Sequence, residues 1–395
     1  MRRNTTISLL AAGHACVDVY QGAVAALIPF FVAERDYSYA VASGIVLAAS
    51  LLSSVAQPVF GALTDRWSMP WLLPASTLLG GVGIALSGLS GSYGLTLAFV
   101  AVSGIGVAAY HPESARVARI AGRGSHSAMG WFSLGGNIGF ALAPLMVSVV
   151  IGQGSLHRTP LLVLPALAGA ALCVPVLRML ARSRAGTSTA PVPRAADDVA
   201  SFVKLSLAVV FRSVVFTGLS TFIALHAQQR APGGSTGGTV ALFLLFLGGA
   251  VGSVLGGNLA DRYGRVRVSR WSYLLSVVAV AGAVHVPGPA MFLFVALTSA
   301  GLYVPFSLQV TLGQDYLPSR VGTASGITLG LTVSIGGLIS PLLGLLADST
   351  SLRTALTPLI AMPLLSWLLF RALPEPAGPA PRAAVPAPTA VRQDT

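Results

Sequence analysis

Long apolar runs recur along the whole chain and are separated by short polar gaps. A helix needs about 20 apolar residues to cross a bilayer, whereas a barrel strand needs about half as many with alternating polarity. The runs are of the longer kind and do not alternate, so they predict membrane-spanning helices. Twelve spans are predicted, at residues 6–32, 38–60, 69–90, 94–112, 126–151, 159–180, 203–227, 238–258, 269–286, 289–311, 321–346 and 353–373.

The composition indicates that most of the protein surface faces lipid. Hydrophobic residues make up 54% of the 395 residues and charged residues 9%, whereas a soluble domain carries about 25% charged residues. The amino terminus begins with two arginines, as a signal peptide does, but its apolar run continues past Asp18 to Phe31. That run is longer than a signal-peptide core, so we predict an uncleaved first helix.

The basic residues predict the orientation of the spans and exclude one class of partner. With the amino terminus in the cytoplasm, the outer gaps hold Arg35, Arg158, Arg230 and Arg353, Arg212 lies within the seventh span, and the other basic residues are on the inner side. This asymmetry predicts that both termini are cytoplasmic. The net charge is +12, but no basic tail or basic-aromatic motif is present, so nucleic acid is not expected as a partner.

The longest polar connection divides the spans into two sets of six. We therefore predict an amino-terminal six-helix bundle over residues 1–180, a cytoplasmic linker over 181–201 and a carboxy-terminal six-helix bundle over 202–373. Residues 374–395 are rich in Pro and Ala and are predicted to form a disordered cytoplasmic tail.

The two sets of spans repeat one sequence pattern. The stretch GALTDRW at 61–67 corresponds to GNLADRY at 257–263, and Gly130 corresponds to Gly326 at the same offset. Such a repeat indicates duplication of a six-helix unit. Two parallel repeats around a central cavity are a transporter architecture.

Both Asp-Arg loops follow an even-numbered span, and GNLADRYGR resembles the loop motif of the major facilitator superfamily more closely than GALTDRW does. This resemblance implies an all-α membrane protein with the major facilitator fold. The Asp-Arg loop of that superfamily belongs to a charge network that locks one state. The resemblance therefore implies a gating latch, with Asp65, Arg66 and Arg116 in the first half and Asp261 and Arg262 in the second.

A wider match is similar to the fosmidomycin-resistance type of this superfamily. It comprises SSVAQPVFGALTDRWSMPWLLP at 53–74, YHPESARVARIAG at 110–122 and GGNIGFALAPL at 135–145, together with His14 and Asp18. The match covers about residues 8–373. It implies drug:proton antiport that exports a phosphonate antibiotic.

Two titratable residues lie within the first span. Asp18 is in mid-span, and His14 is four residues earlier on the same helix face. Ionisable groups in a membrane are costly and usually functional. Both are therefore candidates for proton coupling. The alternatives are that Asp18 accepts a structural hydrogen bond between helices and that His14 is a packing residue.

The stretch YHPESARVAR at 110–119 ends the fourth span on the inner side. One interpretation is a cytoplasmic latch, because Glu113 and Arg116 are three residues apart and share a helix face. The other is that His111 and Glu113 reach the cavity and relay protons. No metal site is predicted, because His111 and Glu113 are two residues apart and a helix turns them away from each other.

Four residues are candidates for binding substrate. Arg212 could hold a phosphonate or carboxylate in a bidentate grip, but it lies near the inner end of the seventh span and could instead extend to the membrane interface. Gln57, Asn137 and Gln309 are uncharged polar residues in other spans. They are either substrate contacts or partners in hydrogen bonds between helices.

The chain carries no motif for ATP-driven transport or for catalysis. Lys204 is the only lysine and Val203 precedes it, so a Gly-Lys-Ser/Thr phosphate loop is impossible. No His-Glu-x-x-His or Gly-x-Ser-x-Gly sequence is present. We therefore predict a transporter, not an enzyme, that needs no cofactor and is driven by an ion or substrate gradient.

These observations predict a secondary transporter that works by alternating access as a monomer in a bacterial inner membrane. The predicted activity is proton-coupled efflux of a small anionic or amphiphilic drug such as fosmidomycin. The alternative is import or export of a natural organic anion or phosphorylated metabolite. The expected partners are this small molecule, protons and the lipid bilayer.

Overall fold

The computed structural model describes residues 3–122, 126–152, 154–182 and 196–376, and within them it contains helices and no strand. Two 3-10 helices, Leu156–Val163 and Thr357–Ile360, accompany the α-helices. The α-helices are α1 (Arg3–Arg35), α2 (Tyr39–Arg66), α3 (Leu72–Ser87), α4 (Tyr93–Gly122), α5 (His126–Ile151), α6 (Leu164–Arg182), α7 (Val199–Arg230), α8 (Gly234–Tyr263), α9 (Arg265–His285), α10 (Ala290–Tyr316), α11 (Val321–Ser349), α12 (Leu352–Leu356) and α13 (Ala361–Arg371).

Two of the twelve predicted spans are interrupted helices. The sixth begins with the first 3-10 helix and continues as α6, and the twelfth consists of α12, the second 3-10 helix and α13. Pro160 and Pro358 lie in the two 3-10 segments. Proline lacks the backbone N–H that a regular α-helix requires, which explains the breaks. When each interrupted helix is counted once, the described residues form twelve helical segments.

The described helices are long and apolar enough for a membrane protein. Nine of them could cross a bilayer by length and composition, and Leu72–Ser87 and Ile335–Ser349 are shorter apolar helices. The prediction of a helical, multi-pass chain is therefore confirmed. The side of the molecule that is predicted to be cytoplasmic is called the inner side.

Several helices extend beyond their predicted limits. The fourth span is predicted to end at residue 112, but α4 continues through Pro112 to Gly122, so the whole YHPESARVAR stretch is helical. Helix α7 begins at Val199, inside the predicted linker. The Asp198 side chain caps it by accepting a hydrogen bond from the Ser201 amide at 3.0 Å. Most of the remaining linker lies outside the described residues.

The beginning of the carboxy-terminal tail is packed on the second bundle. Glu375 accepts hydrogen bonds from the Arg265 and Val266 amides at 3.0 and 2.7 Å, and the Tyr316 hydroxyl donates to the Pro374 carbonyl at 2.6 Å. The prediction of disorder from residue 374 is therefore wrong at its start, because a carboxylate satisfies the first free amides of α9. The tail from 377 onward lies outside the described residues.

The end of the linker also contacts the second bundle. Asp197 accepts a hydrogen bond from the Ser319 amide at 3.0 Å and a second from the Ser319 hydroxyl. These hydrogen bonds to the ionised form lower the pKa of Asp197 below its usual value. The contact joins the start of α7 to the loop between α10 and α11.

Glycines allow pairs of helices to approach closely. A Cβ atom added at Gly135 or Gly139 of α5 would lie 2.1 Å from the carbonyl oxygen of Ala11 or Ala15 in α1. In α8, Gly248, Gly252 and Gly256 all face residues of α10, from Ser299 to Val304. These three glycines therefore permit close contact between α8 and α10.

The two bundles meet along α2 and α11 and along α5 and α8. At the outer end of the first seam, the Tyr39 and Ala40 amides donate to the two carboxylate oxygens of Asp348 at 2.8 and 2.9 Å. At the outer end of the second seam, a cleft of about 580 Å³ separates Pro144 of α5 from Thr239 of α8. On this side α2 and α11 are therefore joined, whereas α5 and α8 are apart.

We expect Asp348→Asn to loosen the α2–α11 seam, because it removes the charge and one acceptor at the start of α2. Loss of such a cap costs about 1 kcal/mol, which is roughly a fivefold change in the ratio of two states. The measurement is the rate at which a membrane-impermeant maleimide labels Ser50→Cys, in a background without Cys16 and Cys173. Asp36→Asn, an exposed carboxylate on the same side, is the control. An unchanged labelling rate would show that Asp348 does not hold the seam.

Candidate functional site

A cavity of about 120 Å³ lies between the two bundles. Helices α1, α2, α4, α5, α7 and α8 contribute to its wall. The lining is apolar, aromatic and hydroxyl-bearing, and no charged side chain of the described residues belongs to it. Charged groups that act on a bound molecule must therefore reach it from beyond the wall. Its polar and aromatic residues are Tyr20, Gln21, Ser50, Ser53, Ser103, Phe140, Phe216, Thr217, Ser220 and Phe246.

One to two helical turns toward the inner side, the first bundle contains an acid–imidazole centre formed by His14, Asp18 and His111. The His14 Nε2 lies 3.2 Å from one carboxylate oxygen of Asp18, and the His111 Nε2 lies 3.1 Å from the other. The Asp18 side chain is 12% exposed and that of His111 is 27% exposed. The sequence predicted that His14 and Asp18 are neighbours, but the contact between α1 and His111 of α4 was not foreseen.

Backbone carbonyl groups fix the tautomers of both rings. The His14 Nδ1 lies 2.9 Å from the Phe132 oxygen, and the His111 Nδ1 lies 2.7 Å from the Val107 oxygen. A carbonyl can only accept, so each Nδ1 carries a hydrogen. In a neutral ring the Nε2 then carries no hydrogen and can only accept. The ionised Asp18 carboxylate that it faces can also only accept, so the two cannot form a hydrogen bond. A hydrogen bond between Nε2 and Asp18 therefore requires an additional proton, either on the ring or on the carboxyl group.

The same three residues present a possible metal-ligand set. One ligand atom from each of His14, Asp18 and His111 lies within 4.8 Å of the others. Two imidazole nitrogens and one carboxylate suit divalent transition metals. The sequence predicted no metal site, and the spacing of its residues gave no sign of this set. The set can hold either shared protons or a metal ion.

Gly136 of α5 provides the space for this centre. A Cβ atom there would lie 2.5 Å from the Asp18 Oδ2 and 2.7 Å from the His14 ring, so the two side chains would have to shift. Sequence alone gives no signal for this role, because it depends on packing between α5 and α1.

We expect Gly136→Ala to displace the Asp18 carboxylate and to lower transport at least about tenfold, a loss typical of a misplaced reacting group. Gly130→Ala, in the same helix, is the matched control. A Cβ atom added at Gly130 would meet no neighbouring atom within 4 Å. The measurement is initial transport rate per folded protein. Equal rates for the two variants would contradict the assigned role of Gly136.

Glu113 points away from the centre and pairs with Arg116. The Glu113 side chain is fully buried, and the Arg116 Nε donates to it at 2.8 Å. The Arg116 Nη2 also donates to the Ser68 hydroxyl in the loop after α2 at 2.8 Å. Glu113 and Arg116 therefore contact the loop after α2, as the latch interpretation expects. His111 contacts Asp18, as the relay interpretation expects.

The other predicted latch residues are not brought together among the described side chains. Arg66, Asp261 and Arg262 are exposed and form no ion pair there. The side chain of Asp65 lies outside the described part. In the second bundle Arg265 instead pairs with Asp315 at 2.6 Å.

We expect Arg116→Gln to destabilise the protein by about 3 kcal/mol, because it leaves the Glu113 carboxylate buried without its partner. The double variant Glu113→Gln/Arg116→Gln removes both charges and is expected to be less destabilised than Arg116→Gln. Thermal unfolding of the purified protein measures both. Arg119→Gln, an exposed residue of the same helix, is the control. A double variant less stable than Arg116→Gln would show that the pair is not coupled.

Arg212 occupies a corresponding depth in the second bundle. It is 2% exposed and lies one helical turn toward the inner side of the cavity residue Phe216. Its guanidinium donates to the Leu302 carbonyl at 3.4 Å and lies 4.8 Å from the centre of the Phe306 ring. The alternative that this side chain extends to the membrane interface is therefore wrong.

Aromatic rings lie between Arg212 and the cavity. Ring centres are 4.3 Å apart for Phe140 and Phe246 and 5.4 Å apart for Phe216 and Tyr303, and Tyr303 also contacts Phe306. These residues come from α5, α7, α8 and α10, so no local spacing in the sequence could have revealed the cluster. A ligand that reaches Arg212 from the cavity must pass these rings.

The three uncharged candidates occupy different environments. Gln309 is buried and its amide donates to the Tyr273 hydroxyl of α9, which favours a hydrogen bond between helices. Asn137 is half-buried beside Gly249 of α8, at the seam between the bundles. Gln57 is half-buried on α2. None of the three lines the cavity.

Comparison with known proteins gives one consistent result. The profile of the Major Facilitator Superfamily matches residues 10–341. The chain is 30% identical over 384 residues to the fosmidomycin resistance protein of Escherichia coli (strain K12), with 93% of each chain covered. It is 29% identical over 376 residues to the MFS-type transporter YfnC of Bacillus subtilis (strain 168), with 90% of each covered.

Solved structures agree in fold. A bacterial homologue of the human lysosomal transporter Spinster, in an inward-facing and occupied conformation, superposes with a TM-score of 0.77. The match covers 93% of this chain and 95% of that one at 15% identity. The arrangement of helices is therefore shared, whereas a likeness at that identity carries no information about substrate.

Proposed function

We propose that this chain, which belongs to the Major Facilitator Superfamily, exports a small anionic compound in exchange for protons. Membership makes it a multi-pass membrane transporter. The observation that carries the proposal is the acid–imidazole centre, placed beside a cavity that has no charged lining. Titratable groups at such a depth are costly and are retained where they do work.

The centre is proposed to be the proton carrier. Each Nε2–carboxylate contact requires a proton, so the centre gains or loses protons by small changes in the position of Asp18 relative to the rings. His111 is the most exposed of the three side chains and is the proposed route for proton entry. His14, stacked on Phe132 at 4.3 Å, is held in place and orients the carboxylate.

Arg212 is proposed to bind the anionic group of the substrate. A guanidinium matches a phosphonate or carboxylate with two parallel hydrogen bonds, and burial strengthens that interaction. The aromatic cluster would contact the apolar part of the molecule. Asn137, at the seam, and Gln57, on α2, remain candidate contacts, whereas Gln309 is assigned a structural role.

Alternating access follows from the two seams. The bundles rock about the cavity, and the α2–α11 contact at Asp348 must open in the outward-open state. In exchange transport, substrate moves outward with the centre deprotonated, and the bundles return with the centre protonated and Arg212 empty. The latch of Glu113 and Arg116 would hold the inner ends of α2 and α4 during one of these steps.

A second function is compatible with the same groups. An anion binds better near a protonated centre than near an ionised one, which favours carrying a proton and an anion together. Import of a natural organic anion or phosphorylated metabolite with protons is therefore the alternative. Both functions use Asp18 and Arg212, and they differ in the direction of the proton relative to the substrate.

Fosmidomycin tolerance tests the first function. The full chain is expressed in drug-sensitive bacteria, with and without a protonophore. We expect tolerance that the protonophore abolishes and that a metal chelator leaves unchanged. If the protein is in the membrane and no tolerance results, fosmidomycin is rejected. A screen of organic anions and phosphorylated compounds for protection against heat unfolding would then identify the substrate class.

A further inference from the structure

A second pocket lies on the surface of the second bundle that faces away from the central cavity, near the inner side of the molecule. It is formed where α9 begins and α13 ends, and its volume is about 280 Å³. Its position is far along the chain from the acid–imidazole centre, and none of its residues lines the central cavity. It is lined by Arg267, Arg270, Trp271, Leu274, Trp367 and Arg371.

Three guanidinium groups and no carboxylate line this pocket. The nearby carboxylates, Asp315 and Glu375, are engaged with Arg265, at 2.6 and 3.5 Å. Among the described residues, the Arg270 guanidinium donates only to the Arg371 carbonyl, at 3.5 Å. Within the described ranges, none of the three lining arginines forms an ion pair. The pocket therefore concentrates positive charge that no described carboxylate neutralises.

The rest of the wall is apolar and faces outward. Trp271 is 72% exposed and Leu274 is 46% exposed, and the Arg371 guanidinium lies 5.2 Å from the centre of the Trp367 ring. Tryptophan favours the boundary between headgroups and acyl chains. The wall thus has arginines at its mouth and Trp and Leu toward the membrane. This arrangement matches a phospholipid, whose charged headgroup is followed by its apolar acyl chains.

We propose that this pocket binds the headgroup of an anionic phospholipid. The phosphate oxygens would accept hydrogen bonds from Arg270 and Arg371. Stacking on Trp367 helps to hold the Arg371 guanidinium in place. The acyl chains would lie along Trp271 and Leu274. A basic pocket between helices on the cytoplasmic side is suited to anionic lipid, and a zwitterionic headgroup would bring an unfavourable second cation.

The test uses the purified full chain in detergent and titrates phosphatidylglycerol or phosphatidylcholine, with binding followed by native mass spectrometry and by thermal unfolding. We expect phosphatidylglycerol to bind more tightly and to raise Tm. Removing each arginine should raise the Kd for phosphatidylglycerol about fivefold. The double variant Arg270→Gln/Arg371→Gln should therefore raise this Kd about 25-fold. Arg178→Gln, exposed at the inner end of α6, is the control and should bind normally.

Two further arms keep the test decisive. Trp271→Ala removes an exposed side chain and should weaken phosphatidylglycerol binding even if the arginine variant fails to fold. Inorganic phosphate alone should give neither binding nor a Tm shift. Binding to the arginine variant as tight as to the intact chain, or a full shift with phosphate alone, would overturn the proposal.

Discussion

Asp18→Asn is expected to abolish proton-driven transport while leaving the fold intact. The substitution keeps the shape of the side chain, which contacts His14 and His111 at 3.2 and 3.1 Å. An amide cannot take up or release the proton that those contacts require. Removing a positioned proton-transfer group costs roughly a hundredfold or more in rate. The initial rate of pH-gradient-driven transport should therefore fall by at least that factor.

The matched control for this experiment is Asp36→Asn. It makes the same chemical change at an exposed residue whose positive φ of 51° suits Asn. Thermal unfolding of both variants shows whether the fold is retained. A well-folded Asp18→Asn protein that keeps the full gradient-driven rate would refute the assignment of Asp18 as proton carrier.

Arg212→Gln is expected to have the largest effect on substrate affinity. A buried guanidinium that loses its charge gives up about 2 kcal/mol or more of interaction with a bound anion, which is roughly thirtyfold in Kd. Arg212→Lys retains the charge but not the planar fork, so its affinity should lie between those of the intact chain and Arg212→Gln. Binding calorimetry with the purified protein and the transported anion measures all three affinities.

Stability separates a binding role for Arg212 from a structural one. Burial of a guanidinium is costly, so a binding role predicts that Arg212→Gln keeps its Tm and loses the rise in Tm that substrate gives. A structural role predicts a lower Tm with unchanged affinity. Arg230→Gln, in the same helix at its outer end, is the control, since it contacts the His285 carbonyl and not the cavity.

The sequence predicted the fold well because the relevant signals are local. Hydrophobic length defines a helix that can cross the membrane, and the continuous apolar runs distinguish helices from strands. The boundaries were less accurate. Pro112 does not end α4, because proline is tolerated within a long helix whose neighbours accommodate the lost hydrogen bond. The capping of α9 by Glu375 is a contact across about a hundred residues that composition cannot reveal.

The candidate site was only partly predictable, for the same physical reason. His14 and Asp18 are one helical turn apart, so their proximity follows from the helix period. That His111 completes the centre, and that Gly136 makes room for it, depends on how α1, α4 and α5 pack. His111 and Glu113 belong to one sequence motif, but their side chains have different partners in the structure. His111 contacts Asp18, and Glu113 contacts Arg116.

Proton release on substrate binding tests the central claim most directly. The purified protein in weakly buffered detergent solution is mixed with fosmidomycin, and the pH is followed with an indicator dye. Exchange of substrate for a proton at Asp18 predicts that the intact chain releases protons and that Asp18→Asn binds the compound without release. Equal release from both proteins, or proton uptake by the intact chain on binding, would contradict proton exchange at this centre.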